Sequence, residues 1–543
     1  MLARPRRKAP APASMETAYV PAPTGGLNTI SPGSEMGALD CILIYNLIAA
    51  EYGLRSRLGS REWCTGLTGA IDNKVRTVMS FTGAAASGSD NKVFATTSTG
   101  IWDVTASSAT PTQVLAFGTT TGDAGFGAAS VFVTSAGHFL LYCDEVNGYH
   151  VFTQSAGTWA AITMGGGGTQ VSGVDPATFC FVFAFKERLW FVPRNSASAW
   201  YLSAGAVYGA ATEFPMGRKF TAGGGIRGLW SWTYDGGAGL DDSMVAVSDG
   251  GDVLVWQLTD PASPTSTLLR GVWSLGGSPP AGRRIATTRG GDLLLLSRLG
   301  VLPLSKLVLG SGTEDRSVYA TAKIANLFNQ LMLSKSALKT WSMHIHPEEN
   351  ALVVTVPGYG NDNNTEQLVM SLSNRSWFRF RDLPWYSAQI HEGKVYFGSA
   401  AGKVYINDGY IDGVTLADPN AYTSIQYSMI TAFRNLGNGR QKQVQVIRPT
   451  ILSESASPTF EVHARYKFDQ TEPSAVAEGV PGQGSWDVGV WDTAVWGGDY
   501  SPSQAVRGAA GMGTDVAIAL RGTATSRTIF VGCDVGFSQG GFL

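Results

Sequence analysis

The sequence predicts an all-β chain: a β-propeller of about seven blades, with an extended N-terminal arm before it and a C-terminal β-sandwich-like domain after it. Three observations carry that expectation. The first is a hairpin pattern that recurs seven times. In residues 393–406, GKVYFGSAAGKVYI, Val395 and Phe397 share one face, Val404 and Ile406 share another, and a small-residue bend separates them. Period-two alternation of β-branched and aromatic residues marks a strand, and glycine supplies the backbone freedom of a tight turn. The second is spacing. The first apolar strand residues of the hairpins are Val93, Phe139, Leu189, Met244, Leu293, Leu352 and Val395, at intervals of 43 to 59 residues with a mean near 50. That is the period of four-stranded propeller blades, which bury both faces only by stacking on neighbours. The third is composition. Of 543 residues 67 are glycine and only 15% are charged, against roughly a quarter in ordinary soluble domains; short strands and tight turns suit these values.

Residues 1–65 read as the N-terminal arm and docking strands. Arg4, Arg6, Arg7 and Lys8 precede any acid, and Pro5, Pro10, Pro12, Pro21 and Pro23 exclude helix and sheet from the first 24 residues. An electrostatic arm that orders on a partner or on nucleic acid, and a solvated tail, both fit this pattern. Leu39, Cys41, Leu43 and Tyr45 then alternate as a strand, and residues 53–57, GLRSR, form a second after a bend.

Residues 66–417 hold the propeller. Its hairpins fall at 91–104, 137–152, 187–202, 242–258, 291–307, 350–372 and 393–406; the second turns at Asn147-Gly148 and the sixth has a longer polar turn around 361–364. One interruption is helical: in residues 317–335 Ile324, Leu327, Phe328 and Leu331 fall at helical spacing, with Ser317 as N-cap. Residues 418–543 lack the hairpin and alternate as strands at 421–433, 443–451, 459–468, 515–522 and 527–537, a separate antiparallel domain. Between these strands Trp486, Trp491 and Trp496 stand five apart in glycine-rich surroundings. Large aromatics of few rotamers anchor subunit interfaces, or wedge a loop against its own domain.

Chemistry-bearing groups are sparse. A net charge of −2 gives no global basic field for nucleic acid. The five cysteines are scattered without a CxxC pair, as buried free thiols would be, and no run of 18 apolar residues spans a membrane. The first residues lack the apolar stretch of a secretory signal, so the protein is expected to be made and kept in a cytosol. His344 and His346 share a strand face but find no third ligand nearby, which favours a surface or interface pair over a metal site. No GxSxG elbow occurs, and the glycine run 165–168 lacks the Lys-Ser/Thr of a phosphate loop. The turn Ser248-Asp249-Gly250-Gly251-Asp252 is only loosely like the Asp-box of propeller sialidases. No catalytic residue, metal ligand or cofactor is assigned, and the chain is not expected to be an enzyme.

The order of several motifs resembles one family. Gly25, Gly26, Leu27, Asn28, Thr29 and Pro32, then a strand ending in Asn46, then Arg55, Arg57 and Gly59 are similar to the opening of the tail nozzle proteins of short-tailed bacteriophages, also described as packaged-DNA stabilisation or tail tube proteins. Residues 188–217, the series TDP, GVWSLG, GRR, GGDLL and GVLPLS between 259 and 305, and the Trp-Asp-rich region near the C-terminus extend the resemblance over residues 25–543. It implies a structural protein of the virion tail, made in the bacterial host cytoplasm. The family expectation is a homo-hexameric ring below the portal-adaptor (head-to-tail connector) protein. Such a ring is a conduit that retains and then passes double-stranded DNA without sequence specificity, carries a tail fibre or tailspike, and inserts in no membrane. In this setting Arg4, Arg6, Arg7, Lys8, Trp486, Trp491 and Trp496 are candidate assembly contacts. Two alternatives remain: a propeller enzyme acting on glycans through acids such as Asp235, Asp241 and Asp242, and a trimeric receptor-binding fibre protein.

Overall fold

Each of the seven predicted hairpins is the second and third strand of its own antiparallel sheet. The computed structural model describes residues 15–235, 240–310, 313, 315–358, 365–454, 458–478 and 500–540. It is 49% strand and 6% helix, an all-β chain. Two units are separable: one is Leu58–Tyr422, and the other joins the residues before Leu58 to those from Thr423 onward.

In the Leu58–Tyr422 unit a first strand precedes each hairpin. The first strands are Thr77–Phe81, Gly127–Thr134, Phe179–Phe185, Ile226–Asp235, Ala286–Arg289, Ser342–His346 and Ser387–His391. The second strands are apolar runs because both of their faces are covered; every residue of Ala351–Val356 is buried, as are the four leucines of Asp292–Leu296. Packing follows sheet order. Phe139, Leu141 and Val151 of the second sheet share a core with Phe179, Leu189 and Phe191 of the third. Trp190 and Val192 of the third share one with Leu229, Met244 and Leu254 of the fourth. The first sheet packs on the second through Phe81, Phe94, Leu140 and Phe152. The seventh packs on the first, with Val404, Ile406 and Tyr396 against Val78, Val93 and Trp102.

The seventh sheet takes its fourth strand from the other end of the unit. Ser60–Cys64 pairs antiparallel with Val404–Asn407, in register Asn407 to Ser60 and Val404 to Cys64. Buried polar groups fix this splice. Asn407 Nδ2 donates to the Gly59 carbonyl at 2.5 Å, its Oδ1 lies 2.6 Å from His346 Nε2, and Leu58 N donates to Glu349 Oε1 at 2.7 Å. Residues up to 65 therefore do not form one N-terminal segment: the division falls between Arg57 and Leu58, and again after Tyr422 rather than at 417.

Two further expectations are corrected. Glu16–Pro21 is a strand paired with Thr528–Gln539, although residues 1–24 were expected to hold no sheet. Pro21 ends that strand, where a missing N–H costs least. The helix is Ala325–Lys335, not 317–335. Ahead of it lie two single 3-10 turns, Arg316–Val318 and Ala322–Ile324. Between them Ala320 N donates to the Val301 carbonyl at 2.9 Å and Thr321 Oγ1 accepts from Val301 N at 3.2 Å, so this segment covers the edge of the three-stranded fifth sheet instead of continuing as one α-helix. Ser317 caps no helix; its own N–H is accepted by Asp315 Oδ1 at 2.9 Å.

In the other unit, Thr528–Gln539 lies between Glu16–Pro21 and Lys442–Ser453 and also pairs with Gly53–Ser56. A second sheet runs in the order Gly26–Leu27, Asp40–Tyr45, Thr423–Thr431, Val516–Ala524, Thr459–Tyr466. Asn46 turns the chain between Asp40–Tyr45 and Leu47–Ala50 with φ 58, a left-handed conformation that asparagine tolerates. Fully buried, it accepts from Arg57 Nε at 3.1 Å and donates to the Gln426 carbonyl at 2.8 Å.

Candidate functional site

The first strands of the seven sheets border one shared space. A cavity of about 310 Å³ is lined by residues of all seven first strands, among them Thr77, Ser130, Phe181, Trp230, Ala286, Ser342 and Gln389. Among the described residues its ionisable lining groups are Arg283, Arg284 and His344, with no Asp or Glu. The two arginines precede Ala286–Arg289, separated from it by Ile285, and Arg284 bridges in parallel to Ser342.

Charges are packed tightly around the arginines. Arg283 Nε donates to Glu145 Oε1 at 2.6 Å, and its Nη1 donates to the Arg227 carbonyl at 2.6 Å. Arg227 in turn pairs with Asp249 at 2.8 Å, and Lys339 with Asp123 at 2.7 Å. Arg76 donates through Nη1 to the carbonyls of Gly122 and Ala124 and reaches Asp72 at 3.2 Å. Arg284 differs from these. Its Nη2 donates to the Arg76 carbonyl at 2.5 Å and to Thr77 Oγ1 at 3.2 Å, both neutral acceptors. Burial pulls its pKa below the ordinary guanidinium value, and among the described residues the Tyr142 and Tyr386 hydroxyls oppose this. An arginine stays protonated under such conditions, so this charge is held without a carboxylate.

Two residues along the strand from Ser342, His344 lies flat on Trp385, ring centroids 5.3 Å apart, and Trp385 lies flat on Phe397 at 4.8 Å. Burial, and then the neighbouring His346, push the His344 pKa down to about 3, so it is a neutral ring. His346 is held by Asn407 and by the Glu349 N–H. The expected surface or interface pair is corrected: both rings are engaged inside the protein, because their strand faces packed neighbours rather than solvent. Among the described residues no three His, Cys, Asp or Glu side chains cluster as a metal site.

The other predicted residues are accounted for as follows. Arg4, Arg6, Arg7, Lys8, Trp486, Trp491 and Trp496 lie outside the described residues, as does the polar turn 361–364. So do the side chains of Asp235 and Asp241; Asp242 is exposed and accepts from Thr233 Oγ1 at 2.6 Å. In the Asp-box-like turn, Asp252 accepts from Thr221 N, Thr221 Oγ1 and Ala222 N, which is loop bracing. All five cysteines are free and buried, and burial raises Cys64 to about 11 and Cys180 and Cys533 to about 12. Sequence reasoning passed over Arg283 and Arg284 as chemistry, taking them only as part of a family motif. Two adjacent arginines shortly before a strand, in a chain of such low charge, were the available signal.

No protein-family model matches the chain, and no curated protein does. Among solved structures, it is similar to the computationally designed Ika8 protein, at 10% identity over 70% of this chain and 98% of that one, with a TM-score of 0.34. It is also similar to the extracellular domain of the hybrid two-component system BT3049 from B. thetaiotaomicron, at 10% identity over 66% of this chain and 45% of that one, with a TM-score of 0.40. At these values neither likeness bears on fold or function.

Proposed function

We propose that this chain is a structural subunit of a short-tailed phage tail nozzle, and that its Leu58–Tyr422 unit is a seven-bladed β-propeller with the remaining unit sandwich-like. Seven successive sheets, first strands around one cavity, a seventh sheet packed on the first and a last sheet completed by Ser60–Cys64 all support the propeller. Closing a ring with a strand from the far end of the chain removes exposed sheet edges.

The observation that carries the functional reading is the role of the residues shared with the nozzle pattern. Asn28 holds Asp40 at 2.8 Å, Asn46 and Arg57 form a buried pair, and a Cβ on Gly59 would stand 2.0 Å from the Ile411 carbonyl oxygen. These are framework positions, each braced within its own unit. A resemblance resting on architecture supports an architectural function.

The cavity volume refines the proposal. About 310 Å³ equals the liquid volume of roughly ten waters, so no DNA duplex passes through a single subunit. The conduit would be built between subunits, and a chain of net charge −2 suits a wall along which a polyanion slides. Six copies around the opening, docked to a portal-adaptor protein and carrying a fibre or tailspike, complete the reading. Native mass measurement and electron microscopy of the purified chain, alone and with the adaptor, test it. Six-fold rings support the nozzle; three-fold particles favour a fibre protein, and a monomer that turns over polysaccharide favours the glycan enzyme.

A further inference from the structure

We propose that the cavity enclosed by the seven first strands binds a small oxyanion, a phosphate ester or a di- or tricarboxylate, on the guanidinium groups of Arg283 and Arg284. The first ground is charge. A buried cation is costly unless a carboxylate or another anion offsets it. Arg283, Arg227 and Lys339 each have a carboxylate within 2.8 Å, whereas Arg284 has only a carbonyl and a hydroxyl. Among the described residues the lining supplies no Asp or Glu to remedy this. The positive charge of Arg284 is thus presented to the cavity uncompensated.

The second ground is unused donors. A guanidinium has five N–H groups in a planar fork that matches two oxygens of a carboxylate or phosphate. Arg284 spends only Nη2 on the protein, and Arg283 spends Nε and Nη1. The remaining nitrogens of both have no protein acceptor among the described residues, and none of them is a sealed, unsatisfied group. Ser342 lies on the same wall, bridged to Arg284 through the backbone, and its hydroxyl makes no hydrogen bond within the protein. The third ground is size: about 310 Å³ accommodates a small polyvalent anion and excludes a polymer. His344, kept neutral by burial, adds no competing charge at neutral pH. This site is independent of the nozzle reading and survives or fails without it.

Calorimetry on the full chain with inorganic phosphate in one arm and citrate in the other tests the site. Melting curves in each anion, against sodium chloride at equal ionic strength, run alongside. The expected result is one site per chain for at least one anion, and a melting temperature raised above the chloride control. Arg284→Met should weaken binding at least tenfold and abolish the anion-specific rise. Arg284→Lys, which keeps the charge without the fork, should fall between. Stronger binding in one arm assigns the phosphate or the carboxylate source. Absence of both heat and melting shift with millimolar phosphate and citrate overturns the proposal, as does undiminished binding in Arg284→Met. If Arg284→Met fails to fold, Ser342→Ala and the wild-type chloride comparison decide: unweakened binding in Ser342→Ala, or no wild-type shift over chloride, overturns it.

Discussion

Gly402 gives a direct test of how the seventh sheet is closed. It lies in the turn of the last hairpin with φ 72, a conformation that costs an L-residue about 1 kcal/mol or more. A Cβ built there would stand 2.2 Å from the Leu67 carbonyl oxygen, over 1 Å inside the ~3.5 Å of ordinary contact. The obstacle is backbone, so neither side can swing aside. Separation would strain the hydrogen bond from Leu67 N to the Gly402 carbonyl, now 3.1 Å, worth about 1 kcal/mol. These two costs come to about 2 kcal/mol for Gly402→Ala, and the close backbone contact adds to them. Gly393, at the preceding turn of the same sheet, is the control: its φ is 81 but its Cβ would meet nothing within 4 Å. Gly393→Ala should therefore cost only about 1 kcal/mol. Urea unfolding followed by tryptophan fluorescence suits the comparison, because 12 of the 15 tryptophans belong to the Leu58–Tyr422 unit. Equal losses in the two variants would refute the close approach of Leu67, and with it the account of closure.

Other perturbations read other parts of the fold. Trp385→Ala removes a buried ring stacked between His344 and Phe397 and should cost about 3–5 kcal/mol in the same urea experiment. His344 and His150 are held near pKa 3 and 4 by burial, against 6.5 when unfolded. Between those values the unfolded chain binds more protons, so stability is full above pH 6.5 and falls as pH drops, by on the order of 3 kcal/mol per histidine at pH 4. His150→Phe should flatten the decline of melting temperature between pH 6.5 and 4, and an unchanged slope would contradict the assignment. Deleting residues 1–14 should leave the melting temperature intact, whereas deleting 1–24 removes the strand Glu16–Pro21 and should lower it.

The sequence disclosed some strands of each sheet and hid others, for a physical reason. Second and third strands are packed on both faces, so Asp292–Leu296 and Ala351–Val356 read as apolar runs that survive any local analysis. First strands differ among themselves: Gly127–Thr134, GAASVFVT, and Ala286–Arg289, ATTR, which border the cavity, carry little apolar signal, whereas Phe179–Phe185, FCFVFAF, is apolar throughout. The fourth strand of the seventh sheet was hidden by distance, since pairing Ser60 with Asn407 leaves no local trace in either segment. The helix start was misplaced because Thr321 and Ala320 serve the edge of the fifth sheet, a demand that helical periodicity does not record.

The same logic explains why the arginines were missed. A motif is legible when its spacing encodes its geometry, as in a hairpin turn. Arg283 and Arg284 acquire meaning only from residues far away in the chain: Glu145 from the second sheet answers the first arginine, and the carbonyl of Arg76 before the first sheet meets the second. Two adjacent side chains with identical chemistry are thereby given different electrostatic fates, one neutralised and one left charged toward a cavity without acids. That asymmetry arises from residues of different sheets brought together and belongs to no single segment, so a local reading of GRR finds only a basic pair.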